Sequence, residues 1–339
     1  MNSQILTILN VPNYNDMLNN EREPSIFGFP YLIHRIELSR LIEQAKSEAV
    51  NCKPSENGGV IFIMYDDATS NITRAIQEQC ILHTKITVRG KVLNSFWEAW
   101  AKNKILQRSI FKSPNPLEEM WAQSKKYNYK LATTFMPSYA KAIYNYFNAS
   151  VVLDPCAGWG DRLLGALTSS CVKSYTGFDP NKKLRPGYAD ITSAVTKLPP
   201  TQITETSIQF NYNHINISMI STSFEQAIKN IPDNSVDLVF TSPPFYDYEI
   251  YSINNPTYTD WLSEFYIPLF IESERVCAVG GHVVLYIDDT SSGKINNFIQ
   301  NDIKRFCLYL TQKPKIAFVG ISSQKQRNIW VFQKSHIPS

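Results

Sequence analysis

The second half of the chain alternates apolar strand segments with amphipathic helix segments, and this rhythm limits the fold more than any other feature of the sequence. Strands are predicted at Val151–Leu153, Ser174–Phe178, Val236–Phe240 and His282–Ile287, and helices at Ser138–Phe147, Asp161–Thr168, Phe224–Asn230, Tyr258–Val276 and Lys294–Asp302. Because strands that alternate with helices pair in parallel, the pattern predicts a mostly parallel sheet covered on both faces.

Three stretches modify this pattern. Ile316–Gly320 and Asn328–Phe332 are strand segments joined by a short polar loop, so we predict an antiparallel hairpin at the edge of the sheet. The helix Tyr258–Val276 is expected to kink at Pro268, because proline has no N–H to donate. The polar stretch from Asn181 to Ile217 is interpreted as an excursion outside the alternation.

The chain before residue 126 has a mixed pattern. Elements are predicted there as a helix at Ile36–Val50, a strand at Gly58–Asp67, a helix at Asn71–Gln79, a strand at Ile86–Val88 and a helix at Phe96–Ile105 capped by Ser95. Ser113 and Asn115 each precede a proline and are therefore disfavoured in a helix, which indicates a linker. We predict a smaller N-terminal α/β domain over residues 1–125 and a larger domain over residues 126–339.

Composition excludes several classes of protein. Of 339 residues, 43% are hydrophobic, so the chain can bury a sizeable core. It has no long apolar run and no basic, apolar leader, so we expect a soluble, intracellular protein with no membrane contact. The cytoplasm, the nucleus and a viral origin stay open. The six cysteines and five histidines are dispersed without metal-ligand spacing, so we expect reduced thiols and no metal site.

Positive charge is concentrated between Thr84 and Lys130. This segment has ten lysines and arginines against three acids, whereas the whole chain has a net charge of only +3. Its aromatic residues are Phe96, Trp97, Trp100, Phe111, Trp121, Tyr127 and Tyr129. Basic and aromatic side chains together suit a surface that follows phosphates and stacks bases. The alternative is an amphipathic helix pair whose aromatic residues form a core.

A glycine-containing turn follows the first strand of the alternating pattern. In VVLDPCAGWGDRLL, Gly158 and Gly160 let the backbone bend tightly against a ligand. The turn lacks the G-x-G-x-x-G dinucleotide pattern, and the carboxylate of Asp154 would repel a pyrophosphate, so a cationic or zwitterionic ligand fits better. The candidate binding residues of this turn are Asp154, Pro155, Cys156, Ala157, Gly158 and Gly160.

A second acid, Asp179, ends the next predicted strand. This is the usual position of a carboxylate that accepts both hydroxyls of a ribose, and no basic residue stands directly beside it to bind a 2′-phosphate. Two acids at the ends of adjacent strands, on either side of a glycine turn, indicate S-adenosyl-L-methionine as the cofactor. Its ribose would lie at Asp179 and its charged amino-acid end near Asp154. The alternative is an α/β core without a cofactor.

The turn DPCAGWG is followed downstream by TSPPF at Thr241–Phe245. Together they resemble the motif pair of class I S-adenosylmethionine-dependent amino methyltransferases, whose catalytic motif is [D/N/S]-P-P-[Y/F]. The resemblance covers about Ala132–Lys334. It implies a Rossmann-like class I methyltransferase fold, which is α/β with a mostly parallel seven-stranded sheet and an antiparallel edge hairpin. It also implies methyl transfer to an exocyclic amino group.

The chemistry of such a transfer explains the residues of the catalytic motif. The exocyclic amine of cytosine or adenine is a poor nucleophile, because its lone pair is delocalised into the ring. A serine hydroxyl and a proline carbonyl that accept its two N–H groups would localise that lone pair, and an aromatic ring offers a face to an extruded base. The catalytic candidates are Ser242, Pro243, Pro244 and Phe245. The alternative is a strand that simply ends at two prolines.

Other candidates flank the two motifs. Leu131–Phe147 is similar to the family segment that closes over the methionine end of the cofactor, with helix capping by Ser138 as the alternative. The cofactor-binding candidates outside the turn and Asp179 are Thr133, Thr134, Phe135 and Phe224. The substrate-binding candidates are the loop tyrosines Tyr246, Tyr248 and Tyr251.

The leading prediction is a DNA amino methyltransferase that flips its target base. Serine at the first motif position is more similar to N4-cytosine enzymes than to N6-adenine enzymes, but a hydroxyl can accept from either amine, so both bases stay open. We expect nucleic acid as the partner, with DNA favoured over RNA. An RNA amino methyltransferase and a catalytically silent, nucleic-acid-binding methyltransferase-fold subunit are the alternatives. The basic segment disfavours a protein glutamine methyltransferase.

Overall fold

The computed structural model describes residues 35–64, 68–88, 91–113, 116–212, 214–247, 256–290, 292–320 and 327–335. Its elements before residue 126 are α1 (Arg35–Ser47), β1 (Asn51–Pro54), β2 (Val60–Met64), α2 (Ser70–Ile76), α3 (Glu78–His83), β3 (Thr87–Val88), β4 (Lys91–Val92), α4 (Phe96–Ala101), α5 (Lys104–Lys112) and α6 (Pro116–Gln123). Ser95 caps α4 as predicted, because its side chain accepts the N–H of Glu98 while the Glu98 carboxylate accepts the N–H of Ser95.

The remaining described elements follow the alternation predicted from the sequence, except between Asn181 and Ile217. They are α7 (Pro137–Phe147), β5 (Val151–Asp154), α8 (Asp161–Thr168), β6 (Ser174–Phe178), α9 (Arg185–Thr196), β7 (Gln202–Ile203), β8 (Ser207–Asn211), β9 (Asn216–Ile220), α10 (Phe224–Ala227), β10 (Val236–Thr241), α11 (Tyr258–Trp261), α12 (Ile267–Val276), β11 (Cys277–Leu285), α13 (Ile295–Asn301), β12 (Leu310–Gly320) and β13 (Arg327–Lys334).

The stretch from Asn181 to Ile217 is not an excursion, and that expectation was wrong. It contains α9, β7, β8 and the start of β9. Its many threonines and other polar residues conceal the pattern, yet α9 buries Tyr188, Ile191 and Val195 on one face. This helix reaches the glycine turn after β5, because Ile191 lies beside Gly160.

The main sheet has eleven strands within the described residues, in the order β1-β2-β12-β13-β11-β10-β5-β6-β9-β8-β7. Strands β9, β6, β5, β10 and β11 run parallel, and numbered along the chain from β5 their order is 3-2-1-4-5, as in a Rossmann-type sheet. Strand β13 lies antiparallel between β11 and β12. The predicted Rossmann-like α/β fold, with its mostly parallel sheet and antiparallel hairpin, is confirmed.

The expected size of the sheet and the edge position of the hairpin were wrong. Strand β2 pairs in parallel with β12, with Phe62 opposite Phe318, so β1 and β2 extend the sheet beyond the hairpin. Strands β8 and β7 extend the other edge by antiparallel pairing. The hydrophobic pattern of β2 predicts a strand but carries no information about its partner, which lies about 250 residues downstream.

The N-terminal residues divide differently from the predicted domain of residues 1–125. Leu41, Phe62 and Ile72 belong to the same core as the helices and strands around β5. The Lys141 ammonium of α7 donates to the carbonyl oxygens of Ala45 at 2.8 Å, Lys46 at 2.7 Å and Glu48 at 2.8 Å, and so closes the C-terminal end of α1. Residues 35–76 therefore share a core with the elements around β5.

A separate small core lies between residues 78 and 131, which we call the helical module. Its buried residues are Leu82, Phe96, Ala99, Trp100, Leu106, Ile110, Met120, Tyr129 and Leu131. The module also contacts the large domain, because Trp159, in the turn after β5, packs against Ile81, Ile86 and Ala132. The helical module therefore stands directly beside the glycine turn.

Candidate functional site

The candidate site lies at the carboxyl ends of β5 and β10, where the strand order of the sheet reverses. Ligands of open α/β sheets bind at this point. The hydroxyl of Thr241, the last residue of β10, donates to Asp154 Oδ1 at 2.8 Å and accepts the N–H of Cys156 at 3.1 Å. Because Ser242 follows Thr241 directly, the glycine turn and the Ser-Pro-Pro-Phe segment begin from one hydrogen-bonded junction.

Asp154 is the centre of that junction, and its position differs from our expectation that it faces the ligand. Its side chain is 0% exposed. The carboxylate accepts from Arg162 Nε at 2.7 Å and from the Tyr175 hydroxyl at 2.7 Å, in addition to Thr241 and the N–H of Cys156. A buried carboxylate needs such partners, since an unpaired buried charge is strongly unfavourable. Asp154 therefore positions the turn.

The two glycines of the turn serve different purposes. Gly158 and Gly160 have positive φ angles of 59° and 94°. A Cβ at Gly160 would lie 2.7 Å from Ile191 Cδ1, so this glycine is required by packing. A Cβ at Gly158 would lie 3.9 Å from the Cys156 carbonyl oxygen, which is an ordinary contact, so its φ angle rather than packing is what favours glycine there.

Asp179 follows β6 and faces the glycine turn. Its Oδ2 accepts the N–H of Gly158 at 3.0 Å, and its Oδ1 accepts the N–H of Asn181 at 2.9 Å. A carboxylate has about four acceptor positions, so about two remain for a ligand. Burial raises the pKa of Asp179 to about 6, although the two N–H groups oppose that shift.

The Ser-Pro-Pro-Phe segment lies beside an aromatic cluster. Pro243 is buried, whereas Ser242, Pro244 and Phe245 are partly exposed. The Phe245 ring lies 6.0 Å from that of Tyr286, at 70° to it, and the N–H of Tyr286 donates to the Thr241 carbonyl at 3.0 Å. No described residue hydrogen-bonds to the Ser242 side chain.

The segment before α7 reaches the same aromatic cluster. The Phe135 ring lies 5.5 Å from that of Tyr286 and 5.6 Å from that of Phe240. Thr133 is exposed, while the Thr134 hydroxyl is buried and has no hydrogen-bond partner among the described residues. Tyr286 thus lies between Phe135 and Phe245, which come from sequence segments about 110 residues apart.

Several of the predicted cofactor-binding residues are buried and pack against other parts of the protein. Phe224 is 2% exposed, and its ring packs 5.3 Å from that of Phe265, so it has no face free for a cofactor. Pro155 and Ala157 are buried, and the N–H of Ala157 donates to the Phe178 carbonyl at 2.8 Å. Cys156 is partly exposed at the turn, and burial of its sulfur raises the pKa of the thiol well above its usual range.

Tyr246 is the one predicted substrate tyrosine that falls within the described residues. It is partly buried, with its ring 5.1 Å from that of Tyr258 and its hydroxyl 3.3 Å from the Pro256 carbonyl. Gly293 fits against this pair, since a Cβ there would lie 2.9 Å from each ring. Tyr248 and Tyr251 lie outside the described residues.

Sequence reasoning missed Arg162, Tyr175 and Thr241, the side chains that surround Asp154. Tyr175 and Thr241 stand within strand patterns and have no motif of their own. Arg162 offered one signal, since it is a charged residue among apolar neighbours in the helix after the turn. A buried arginine there requires a carboxylate partner, and Asp154 is the nearest acid before the turn in sequence.

The aromatic residues of the basic segment divide between the two interpretations, since some form the core of the helical module and others are exposed at its surface. Phe96, Trp100 and Tyr129 are at most 2% exposed and form the core of the module, as the helix-pair alternative predicts. Trp97 and Tyr127 are partly exposed and Trp121 is 37% exposed, while the side chain of Phe111 lies outside the described residues. The exposed basic side chains are Lys85, Lys91, Lys102, Lys104, Arg108, Lys112, Lys125 and Lys126.

Solved structures from several organisms are similar to this chain. Trm1 from Pyrococcus horikoshii, in complex with S-adenosyl-L-methionine, is 9% identical over 60% of this chain and 57% of that chain, with a TM-score of 0.43. TrmN from Thermus thermophilus is 14% identical over 66% and 55%, with a TM-score of 0.38. An rRNA methylase from Streptococcus thermophilus is 11% identical over 60% and 100%, with a TM-score of 0.38. The chain spans just over half the length of Trm1 and TrmN.

Comparison of the sequence with protein-family models and with curated proteins gives no match. Among the described helices, none has the length and apolar composition needed to cross a membrane. In the same part of the chain, no three His, Cys, Asp or Glu side chains are grouped so that they could hold a metal ion.

Proposed function

We propose that this protein is an S-adenosylmethionine-dependent methyltransferase that modifies an exocyclic amino group of a nucleic-acid base, N4 of cytosine or N6 of adenine in DNA. One observation carries the proposal. Through Thr241, the glycine turn and the Ser-Pro-Pro-Phe segment share one junction at the switch point of the sheet. A donor site and an acceptor site for one methyl group have to be neighbours, and the shared junction supports such an arrangement.

The residues at the turn fit the cofactor. Asp179 has about two acceptor positions left for the ribose hydroxyls, and its carboxylate also holds the N–H of Gly158 in the glycine turn. The buried hydroxyl of Thr134 is available for the amino-acid end. Asp154 would hold the turn in shape without touching the ligand. When bound, S-adenosyl-L-methionine supplies a methyl carbon made electrophilic by the adjoining sulfonium.

The acceptor side is supported by the position of Ser242 and Pro243 directly after the end of β10. The Ser242 hydroxyl and the Pro243 carbonyl would accept the two N–H groups of the target amine, which localises the nitrogen lone pair for attack. The partly exposed Phe245 ring would stack on the extruded base. The prolines hold this geometry because their φ angles are fixed by the pyrrolidine rings.

The helical module supports nucleic acid as the substrate. It presents eight exposed lysine and arginine side chains and the partly exposed ring of Trp121, and it adjoins the glycine turn through Trp159. Basic side chains follow a phosphate backbone, and an exposed tryptophan can stack on a base. The segment would thus hold the strand near the acceptor motif.

Labelled cofactor tests this function directly. The protein is incubated with methyl-labelled S-adenosyl-L-methionine and separate pools of DNA, RNA and protein, and the labelled pool is digested to its modified monomer. We expect label in DNA as N4-methylcytosine or N6-methyladenine. Label in an amino group of RNA would support methyl transfer to an amino group, with RNA instead of DNA as the substrate. Label in protein alone, or in no pool, would reject the proposal.

The salt dependence of nucleic-acid binding tests the helical module. We expect the logarithm of the association constant to fall linearly with the logarithm of salt concentration, by about 0.9 per phosphate contact on duplex DNA. The double variant Lys125→Gln, Lys126→Gln should reduce that slope by up to about 1.8. A double variant at two exposed lysines elsewhere, Lys229→Gln with Lys304→Gln, should leave it unchanged. A slope near zero for the unmodified protein would contradict the assignment.

A further inference from the structure

The helix that follows the acceptor loop is interrupted before Pro268. Helix α11 ends at Trp261, a π-helical turn occupies Leu262–Tyr266, and α12 begins at Ile267. In this turn the N–H of Ile267 donates to the carbonyl of Leu262, five residues back. The irregularity expected at Pro268 is therefore a π turn just before it. Proline cannot donate an N–H to the fourth residue back, and wider turns of this kind occur often at functional sites.

The π turn brings a buried tyrosine to the acceptor motif. Tyr266, its last residue, is 1% exposed, and its hydroxyl donates to the Pro244 carbonyl at 2.6 Å. Its ring lies 5.3 Å from that of Phe265 and 6.1 Å from that of Trp261. Burial raises the pKa of Tyr266 well above its usual value, so the hydroxyl keeps its proton and remains a donor.

The hydrogen bond acts on one of the few free torsions of the motif. The φ angles of Pro243 and Pro244 are fixed by their rings, so the ψ angles of these two residues are the main remaining backbone rotations. The direction of the Pro244 carbonyl is set by the second of these ψ angles. A donor that holds this carbonyl also fixes the direction in which the chain continues to Phe245.

We propose that Tyr266 is a positioning residue for the acceptor motif. Its hydroxyl holds the Pro244 carbonyl, so that the chain leaving Pro244 and the Phe245 ring keep a fixed geometry toward the target base. The significance of this geometry for an amine rests on the proposed function. The hydrogen bond between Tyr266 and Pro244 itself is present in the protein without substrate.

The chain offers a matched control for removing this hydroxyl. The Tyr212 hydroxyl also donates to a proline carbonyl, that of Pro199, but Tyr212 lies next to β8 at the far edge of the sheet. Tyr266→Phe and Tyr212→Phe therefore delete the same kind of bond at two places. Both variants keep the aromatic ring and its packing, which protects the fold.

Hydrogen exchange measures the hold without any substrate. Peptides that span residues 243–247 report the amides of Phe245, Tyr246 and Asp247, since Pro243 and Pro244 have none. One neutral hydrogen bond contributes roughly a five- to tenfold factor, so we expect these amides to exchange about fivefold faster in Tyr266→Phe. The rate in Tyr212→Phe should equal that of the unmodified protein. Unchanged exchange in Tyr266→Phe, or equal acceleration in both variants, overturns the proposal.

Methyl transfer provides the second readout. We expect kcat to fall about tenfold in Tyr266→Phe, with the KM for the cofactor unchanged and both parameters retained in Tyr212→Phe. Unchanged kcat in Tyr266→Phe overturns the positioning role. If the unmodified protein transfers no methyl group while Tyr266→Phe still speeds exchange, the proposed function fails and the structural hold is supported. The two failures are therefore distinguishable.

Discussion

Asp179→Ala should abolish measurable binding of S-adenosyl-L-methionine. The substitution removes a carboxylate that lies at the carboxyl end of β6 and has about two acceptor positions left for ribose hydroxyls. Hydrogen bonds to a charged acceptor contribute about 1.5–3 kcal/mol each. Loss of two such bonds predicts a decrease in affinity of roughly 10²- to 10⁴-fold. Isothermal titration calorimetry measures this decrease.

A similar carboxylate far from the cofactor turn provides the control. Asp237 accepts the N–H groups of Ser150 at 3.0 Å and Val151 at 2.8 Å, so it bridges two backbone donors as Asp179 does. Asp237→Ala should leave the cofactor affinity unchanged once the protein is folded. Equal affinity of Asp179→Ala and the unmodified protein would remove the cofactor assignment.

The pH dependence of cofactor binding is a second measurement of the role of Asp179. The pKa of Asp179 is raised to about 6 in the unliganded protein, and the ionised carboxylate is the form that accepts hydroxyls. Affinity should therefore fall about tenfold per pH unit below about 6.

The stability of the unliganded protein changes with pH in the opposite sense to the cofactor affinity. A carboxyl whose pKa is raised by folding stabilises the folded state most at low pH, and this contribution is lost as pH rises through about 6.

Pro243→Ala and Phe245→Ala should each lose methyl transfer while retaining the cofactor. Alanine at position 243 frees a φ angle that the proline ring fixes, so the Ser242 hydroxyl and the Pro243 carbonyl lose their fixed relative geometry. Misplacing one preorganised polar group lowers kcat by about 10²- to 10³-fold. Alanine at position 245 removes the stacking face, which contributes about 1–3 kcal/mol per base. Single-turnover transfer of labelled methyl, with calorimetry for the cofactor, separates the two effects.

An exposed proline outside the site is the control for these variants. Pro232 lies in the turn before β10, at the opposite end of that strand from the acceptor motif. Pro232→Ala should keep both the transfer rate and the cofactor affinity. Full activity in both Pro243→Ala and Phe245→Ala would reject the mechanism, whereas loss of cofactor binding in either would indicate damage to the shared junction at Thr241.

Local patterns were sufficient for the elements around the site. The alternation of apolar and amphipathic segments gave the parallel strands and their order of appearance, because each element carries its own periodicity in consecutive residues. The glycine turn and the double proline marked the ends of β5 and β10 for the same reason. The sequence failed at α9, where threonines and other polar residues obscure a face formed by Tyr188, Ile191 and Val195.

Pairing and burial depend on residues that are distant in the chain, and no local pattern encodes them. Asp154 and Asp179 look alike as acids at strand ends, yet Asp154 meets Thr241, which is 87 residues away, while Asp179 meets backbone N–H groups and keeps free acceptor positions. Trp100 and Trp121 belong to one basic aromatic segment, but Trp100 is 2% exposed and Trp121 is 37% exposed. Consecutive residues thus specify which elements form and where they turn, whereas the packing of separate elements selects which side chains face a ligand, because burial is a property of the neighbours that folding brings together.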